Sequence, residues 1–396
     1  MRQPSAAVRR LQQSERAGHS APPSPGVIPL HTGDPDFPTP PHIVEALGDA
    51  VERGYTHYPP YQGDPELRAV IADQLSKRSG LAWTADDVTI TIGGSGAIFG
   101  GMAAFLDAGD QVLVPQPTFS LYGDVAASVG AEVTDVPLTD DLHLDLDALR
   151  AAAGPRARMV ILCNPCNPTG VVFRRDELEA LAAFCVERDL LLLADEAYDH
   201  IIFDGRQHVS ALDFPELADR LLFVQTFSKT FAMTGWRLGY LAALDGMAKA
   251  ALIVHRTAVS YVNAAVQRAG LVALTTPTDY PARMVEEYAH RRGMLDELLR
   301  DAEGLSWRPP EGTFYAFVKY SADMPAREMT SFLRERGVAV RSGTEYGPGG
   351  EGHIRLSFAT SRDNIREGAR RLAEACAEAS RESKVEGRKG RSEALA

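Results

Sequence analysis

Short apolar runs alternate with amphipathic helical patterns through the middle of this 396-residue chain, and that alternation restricts its fold more than any other feature. Amphipathic stretches such as Arg175–Arg188 separate several of the runs. Strands that alternate with helices predict an α/β fold with a mostly parallel sheet flanked by helices. Six runs predict strands: Val88–Ile92, Gln111–Val114, Glu132–Val136, Met159–Cys163, Leu190–Ala194 and Leu221–Gln225.

The two ends of the chain differ from this alternation. A helical pattern over Ala6–Arg16, followed by prolines, predicts an arm with one helix. A long periodic stretch over Asp279–Asp301, strands over Gly337–Ser342 and His353–Phe358, and a helix from Ser361 to about Ser380 predict a smaller α+β domain.

The predicted organisation therefore has four parts. Residues 1–45 form the arm and part of the small domain, residues 46–284 form the large domain, and residues 285–380 form the rest of the small domain, so that both chain ends contribute to it. The segment 381–396 is highly charged and contains one Val and one Leu, which predicts a disordered tail because it has little apolar surface to bury.

The composition excludes several classes of partner. Lys and Arg total 41 against 53 Asp and Glu, a net charge of −12, whereas nucleic-acid binding needs a basic surface. Four cysteines are too few for a disulfide scaffold and favour a reducing compartment. Neither an apolar run of about 18 residues nor a secretory signal core is recognisable. We expect a cytoplasmic protein with no nucleic-acid or membrane partner.

Polar motifs follow three of the predicted strands. The segment Thr226–Tyr240, TFSKTFAMTGWRLGY, contains Lys229 and Arg237, while Asp195 and Tyr198 follow the strand before it. Asn167 lies in a third motif, NPCNPTG. Ligands bind beyond the carboxyl ends of parallel strands, so we expect these side chains at one rim of the sheet. A lysine in a largely apolar context can serve as an amine nucleophile there.

Two further motifs have more than one interpretation. Gly94, Ser95 and Gly96 follow a strand and open a helix, where backbone N–H groups can bind an anion. A dinucleotide-binding fold has a similar turn, but no acidic residue ends a clear strand about 20 positions later. Cys163 and Cys166 have the spacing of a redox pair or half a zinc site, but no second pair exists, so we expect no metal.

These motifs, taken in chain order between about Val27 and Leu372, resemble those of the fold-type-I pyridoxal phosphate enzymes, in particular the class I/II aminotransferases. The resemblance implies pyridoxal 5′-phosphate as the cofactor and Lys229 as the lysine that forms the Schiff base and moves the proton. It also implies that Asp195 pairs with the pyridine nitrogen. Tyr198 and Asn167 would donate to the phenolic oxygen of the ring.

The resemblance assigns the other contacts as well. Arg355 would bind the substrate α-carboxylate, helped by the Gly33 backbone and Asn167. Tyr58 would reach the cofactor phosphate of a neighbouring subunit, which implies a homodimer with shared sites. The remaining cofactor contacts would be Gly94, Ser95, Gly96, Phe119 (stacked on the ring), Thr226, Ser228 and Arg237. The family usually has Ser or Gly at position 226 and often Glu or Gln at position 96.

The activity that this resemblance implies is transamination between an L-amino acid and a 2-oxo acid, of EC 2.6.1 type. A lyase, decarboxylase or cyclase with the same site is the alternative, because all of these reactions share the carbanion. A transcription regulator is disfavoured, because too few residues precede Val27 for a DNA-binding domain. Ser95 stands where one dicarboxylate-specific subgroup has a lysine, which weakens aspartate as the preferred substrate. Tyr261 lies where the family's loop approaches the neighbouring site.

Overall fold

The computed structural model describes residues 3–15 and 24–393, with the backbone alone from residue 385 onward. Its strands are β1 Ile28–Pro29, β2 Val88–Ile92, β3 Gln111–Gln116, β4 Glu132–Pro137, β5 Ala157–Cys163, β6 Leu191–Asp195, β7 Leu221–Thr226, β8 Leu238–Ala242, β9 Leu305–Ser306, β10 Tyr315–Tyr320, β11 Val338–Ala339, β12 Arg341–Ser342 and β13 His353–Ser357. The six predicted strands correspond to β2 through β7.

The helices occupy the segments between these strands. They are α1 Ala6–Leu11, α2 Pro41–Glu52, α3 Pro65–Ser79, α4 Gly93–Phe105, α5 Leu121–Val129, α6 Leu146–Ala152, α7 Arg175–Glu187, α8 Phe227–Thr230, α9 Met247–Val259, α10 Ala264–Thr275, α11 Tyr280–Leu299, α12 Ala326–Glu335 and α13 Arg362–Glu393. The predicted arm helix is shorter than its pattern, and Arg16 lies outside the described residues.

Seven strands form the central sheet in the order β2-β8-β7-β6-β5-β3-β4. Strands β3 to β7 are parallel to one another, while β8 runs antiparallel to both of its neighbours, β2 and β7. Successive side chains of a strand point to opposite faces. Accordingly Leu192 and Leu193 of β6 lie in different apolar clusters, one on each face of the sheet. This is the mostly parallel, helix-covered sheet that the sequence predicts.

A third apolar cluster lies around the four-stranded sheet β12-β13-β10-β9. It contains Tyr288, Phe314 and Leu356 together with Leu30 from the beginning of the chain. Strand β1 pairs in parallel with β11, so the N-terminal segment contacts this C-terminal unit. Ile43 of α2, by contrast, is buried in a cluster of the central sheet.

The last helix is longer than its sequence pattern. Helix α13 continues to Glu393, into the segment that is predicted to be a disordered tail. Arg381 pairs with Glu303 at 3.0 Å, and the Ser383 hydroxyl accepts the Asp323 N–H at 3.1 Å, so contacts with the small sheet region anchor the first turn of this extension. Residues 394–396 lie outside the described residues. In the part of the chain that is described, no helix is long and apolar enough to cross a bilayer.

Candidate active site

A cavity of about 400 Å³ opens between the carboxyl ends of the central strands and the small sheet. Its volume lies within the usual range for small-molecule sites. Twelve of the predicted site residues line it: Gly33, Gly94, Ser95, Phe119, Asn167, Asp195, Tyr198, Thr226, Ser228, Lys229, Arg237 and Arg355. They come from distant parts of the chain, and the strand order brings them to one rim.

Asp195 is the last residue of β6 and is buried at the floor of this cavity. Its carboxylate accepts the Tyr122 hydroxyl at 2.8 Å and the Ala197 N–H at 3.2 Å. Burial raises the pKa of Asp195, and these two hydrogen bonds act in the opposite direction. A ligand ring with a cationic N–H would find a buried carboxylate acceptor here. Such a partner favours the protonated form of that ring.

Lys229 lies in the short helix α8, directly after β7. Its Nζ donates to the Gly33 carbonyl at 2.7 Å and lies 5.6 Å from the centroid of the Phe314 ring. Burial lowers the pKa of Lys229, because the charged ammonium loses its hydration in this apolar surrounding. An amine in this environment gives up its proton more readily than a surface lysine does.

One end of the cavity is built to bind an anion. The turn of Gly94 and Ser95 begins helix α4, a 13-residue helix whose N-terminus carries a partial positive charge. Arg237 lies against this turn, since a Cβ on Gly93 would be only 2.6 Å from its Nη2. The Ser228 hydroxyl is 2.9 Å from the Thr226 hydroxyl. Backbone, guanidinium and hydroxyl donors therefore converge at one point.

Arg355 of β13 is buried on the opposite side of the cavity. Its guanidinium donates to the Asn167 Oδ1 at 3.2 Å and to the His31 carbonyl at 2.7 Å, and it lies 4.1 Å from the centroid of the Tyr315 ring. No carboxylate of the described residues forms an ion pair with it. A buried guanidinium with neutral partners can bind a ligand carboxylate with two hydrogen bonds.

Two predicted site residues do not line the cavity. Gly96 is one turn into α4, and its Cβ direction faces His255, at 3.2 Å from Nε2, so the helical period turns this position away. Tyr58 is 83% exposed and stacks on Tyr261, with ring centroids 4.4 Å apart. Neither ring lines the cavity.

The structure also adds residues that the sequence reasoning missed. Tyr315 belongs to none of the motifs described above, yet its hydroxyl accepts a hydrogen bond from the Tyr198 hydroxyl at 3.2 Å. The one sequence signal for Arg341 is its position directly after the apolar run Val338–Val340. The cavity residues outside the prediction are His31, Thr32, Ile98, Cys163, Ala197, Tyr315, Arg341, Glu345 and Tyr346. No group of three or more metal-type ligands occurs within the described ranges.

This arrangement fits pyridoxal phosphate. The donor-rich turn suits its phosphate, the Asp195 carboxylate suits its ring nitrogen, and the Lys229 amine suits its aldehyde. Phe119 lines the cavity in contact with Tyr122, with ring centroids 5.8 Å apart, and so supplies an aromatic surface for a flat ring.

Comparisons with known proteins agree with this chemistry. The family model "Aminotransferase class I and II" matches residues 25–372. An aspartate aminotransferase of Pyrococcus abyssi is 35% identical over 87% of this chain and 90% of its own. The aromatic-amino-acid aminotransferase 2 of Thermococcus litoralis is 34% identical over 88% of this chain and 91% of its own.

Solved structures show the same similarity in three dimensions. An aromatic aminotransferase from Pyrococcus horikoshii superposes with a TM-score of 0.88 at 33% identity, over 94% of this chain and 99% of that one. An aspartate aminotransferase from Thermus thermophilus with maleate gives a TM-score of 0.84 at 34% identity, over 94% and 97%. The chain belongs to the class I and II aminotransferases, the pyridoxal phosphate-dependent transaminases of fold type I.

Proposed function

We propose that this aminotransferase works through Lys229, Asp195 and Arg355, with the other cavity residues as cofactor and substrate contacts. The observation that carries the proposal is that a half-buried amine, a buried carboxylate and a buried guanidinium open on one cavity. When bound, pyridoxal phosphate supplies an electron-withdrawing ring for the carbanion at the substrate α-carbon.

Lys229 moves the proton in this proposal. Its neutral Nζ, favoured by burial, accepts the proton of the substrate α-carbon as a general base and then returns it as an acid. The Gly33 carbonyl, 2.7 Å from Nζ, accepts a hydrogen bond from the amine and so fixes its position in the cavity. Asp195 keeps the ring nitrogen protonated, and Tyr122 fixes the orientation of that carboxylate.

Arg355 orients the substrate by binding its α-carboxylate. The Asn167 Oδ1 accepts from Arg355, which leaves the Asn167 amide N–H groups free to donate toward the cofactor. The Tyr198 hydroxyl, which is hydrogen-bonded to the Tyr315 hydroxyl, contacts the same edge of the cofactor ring. At the other end Gly94, Ser95, Thr226, Ser228 and Arg237 bind the phosphate, while Phe119 stacks on the ring.

The active unit in this proposal is a homodimer in the cytoplasm. Tyr58 is 83% exposed within a stack that includes Tyr61 and Tyr261, which suits an aromatic surface covered by a second subunit. The Tyr58 hydroxyl would reach the phosphate of the neighbouring site. All four cysteines are free and buried, which suits a reducing compartment.

Covalent trapping tests the role of Lys229. Borohydride treatment of the holoenzyme, followed by digestion and mass spectrometry, should place the reduced cofactor on the peptide that contains Lys229. The variant Lys229→Ala should lose this label and at least about 100-fold in turnover, the usual contribution of a positioned acid–base group. Lys249→Ala, which removes an exposed lysine paired with Asp86, should keep both. A label on another lysine would overturn the assignment.

A further inference from the structure

Arg341 and Glu345 lie side by side on the cavity wall, next to the proposed site for the α-carboxylate. Arg341 of β12 is directly opposite Arg355 of β13 in an antiparallel pair. Residues in that relation point to the same face of the sheet, with Cβ atoms about 4.5–5.5 Å apart. The distal groups of a substrate anchored on Arg355 therefore lie within a few bond lengths of Arg341.

The hydrogen-bonding capacity of Arg341 is largely unused. Its Nη1 is 3.4 Å from the Glu345 Oε2, which is long for a hydrogen bond. Its Nε is buried and has no acceptor among the residues that the structure describes. A guanidinium carries five N–H donors in a fixed fork, so a loosely held arginine in a cavity can take an additional acceptor.

The two side chains together offer one donating group and one accepting group. Arg341 can only donate and Glu345, when ionised, can only accept. Both are mostly buried, with side-chain exposures of 19% and 7%, so an apolar group placed against them would leave polar atoms unsatisfied. A carboxylate would find a donor in Arg341 but would be repelled by Glu345 at short range.

We propose that Arg341 and Glu345 select a substrate side chain that ends in a carboxamide. The carboxamide oxygen accepts from the Arg341 guanidinium, and its NH₂ group donates to the Glu345 carboxylate. The preferred substrates are then amino acids of the glutamine or asparagine type and the matching 2-oxo acids. This inference rests on the proposed function, because it takes Arg355 as the anchor for the α-carboxylate.

Unreactive analogues test the selection without any chemistry. Succinamate, succinate and 4-methylpentanoate share one carboxylate for Arg355 and differ at the far end, which is a carboxamide, a carboxylate or an apolar branch. Titration calorimetry on the holoenzyme should show succinamate binding at least about 10-fold more tightly than the other two, as expected for two satisfied polar groups.

Two variants separate the roles of the pair. Arg341→Met should weaken the binding of succinamate at least about 10-fold. It should leave the affinity for 4-methylpentanoate within about 3-fold of that of the unaltered enzyme, because only the polar contact is lost. Glu345→Gln removes the negative charge and should increase the affinity for succinate at least about 10-fold. Thermal unfolding of both variants and the cofactor absorbance show whether the fold and the loaded site are intact.

The outcomes distinguish this inference from the function on which it rests. Tighter binding of succinate than of succinamate by the unaltered enzyme, or equal weakening of all three analogues in Arg341→Met, would overturn the carboxamide assignment. The variant Arg355→Met should weaken all three analogues together. If it does not, the α-carboxylate anchor is wrong, and the proposed site fails with it. Rates of the first half-reaction with glutamine, asparagine, glutamate and aspartate should follow the order of the analogues.

Discussion

His255 shows how a single buried side chain supports the anion-binding turn from behind. Its Nε2 accepts the Ile92 N–H at 3.2 Å, so the ring proton is on Nδ1, and the side chain is only 2% exposed. Burial lowers the pKa of His255 to about 4. Protonation would place an N–H of the ring against the Ile92 N–H, so the native structure requires the neutral imidazole.

This requirement predicts acid lability. In the unfolded chain a histidine takes up a proton below about pH 6.5, whereas native His255 does so only near pH 4. Neutral His255 therefore costs the folded state nothing above pH 6.5. As the pH falls from 6.5 toward 4, the free energy of unfolding decreases by up to about 3 kcal/mol. Denaturant unfolding measured across this range should show a flatter dependence for His255→Gln.

The matched control is His290→Gln, which changes an exposed histidine of α11. That variant should keep the pH dependence of the unaltered protein. An unchanged slope in His255→Gln would mean that the acid lability comes from other groups.

At the scale of elements, β8 and the turn after β2 are in very close contact. A Cβ on Gly239 of β8 would lie 2.6 Å from the Gly93 carbonyl carbon and 2.8 Å from both the Gly94 nitrogen and the Gln225 oxygen. All three are backbone atoms, which cannot turn aside as a flexible side chain can. The strand therefore needs glycine at this position so that the anion-binding turn can rest on it.

Gly239→Ala should consequently separate β8 from the turn. We expect a loss of roughly 1–3 kcal/mol in the free energy of unfolding, the usual cost of overpacking, and weaker pyridoxal phosphate binding. Gly235→Ala is the matched control, because its added Cβ meets no atom within 4 Å. Denaturant titration and equilibrium dialysis of the cofactor would check both effects. Normal cofactor affinity in Gly239→Ala would contradict the role given to this contact.

The sequence was informative wherever local patterns determine the element. Six strands of the central sheet are predictable because each is a short apolar run, and Lys229, Asp195 and Asn167 are candidate site residues because each follows such a run. Strand β8 is not among the predicted strands, because its first residues continue the polar motif around Arg237 without a break. Tyr315 reaches the cavity through the pairing of β10 with β13, and Glu345 through the turn that follows β12, a long-range arrangement that a single sequence does not reveal.

At the scale of the whole molecule, the exposed position of Tyr58 makes mixed dimers informative. If Tyr58 acts in the neighbouring site, a dimer of one Tyr58→Ala and one Lys229→Ala subunit has one doubly altered site and one intact site. Mixing the two variants should therefore restore activity above the sum of the parents, measured at limiting pyridoxal phosphate.

A second mixture serves as the control. Lys229→Ala and Asp195→Asn alter residues that line the same cavity of one subunit, so every site of their mixed dimer carries one defect. No recovery is expected there. Failure of the first mixture, with subunit exchange verified by native mass spectrometry, would remove Tyr58 from the neighbouring site.

The strand order also has a consequence for how the protein is made. Strand β2 lies at the edge of the central sheet, and its one partner there, β8, follows it by more than a third of the chain. A nascent chain on the ribosome contains the complete glycine turn long before β8 emerges to support it, and closing so long a loop is slow. We therefore expect the vitamin B6 cofactor to be loaded only after translation has passed Ala242, the last residue of β8.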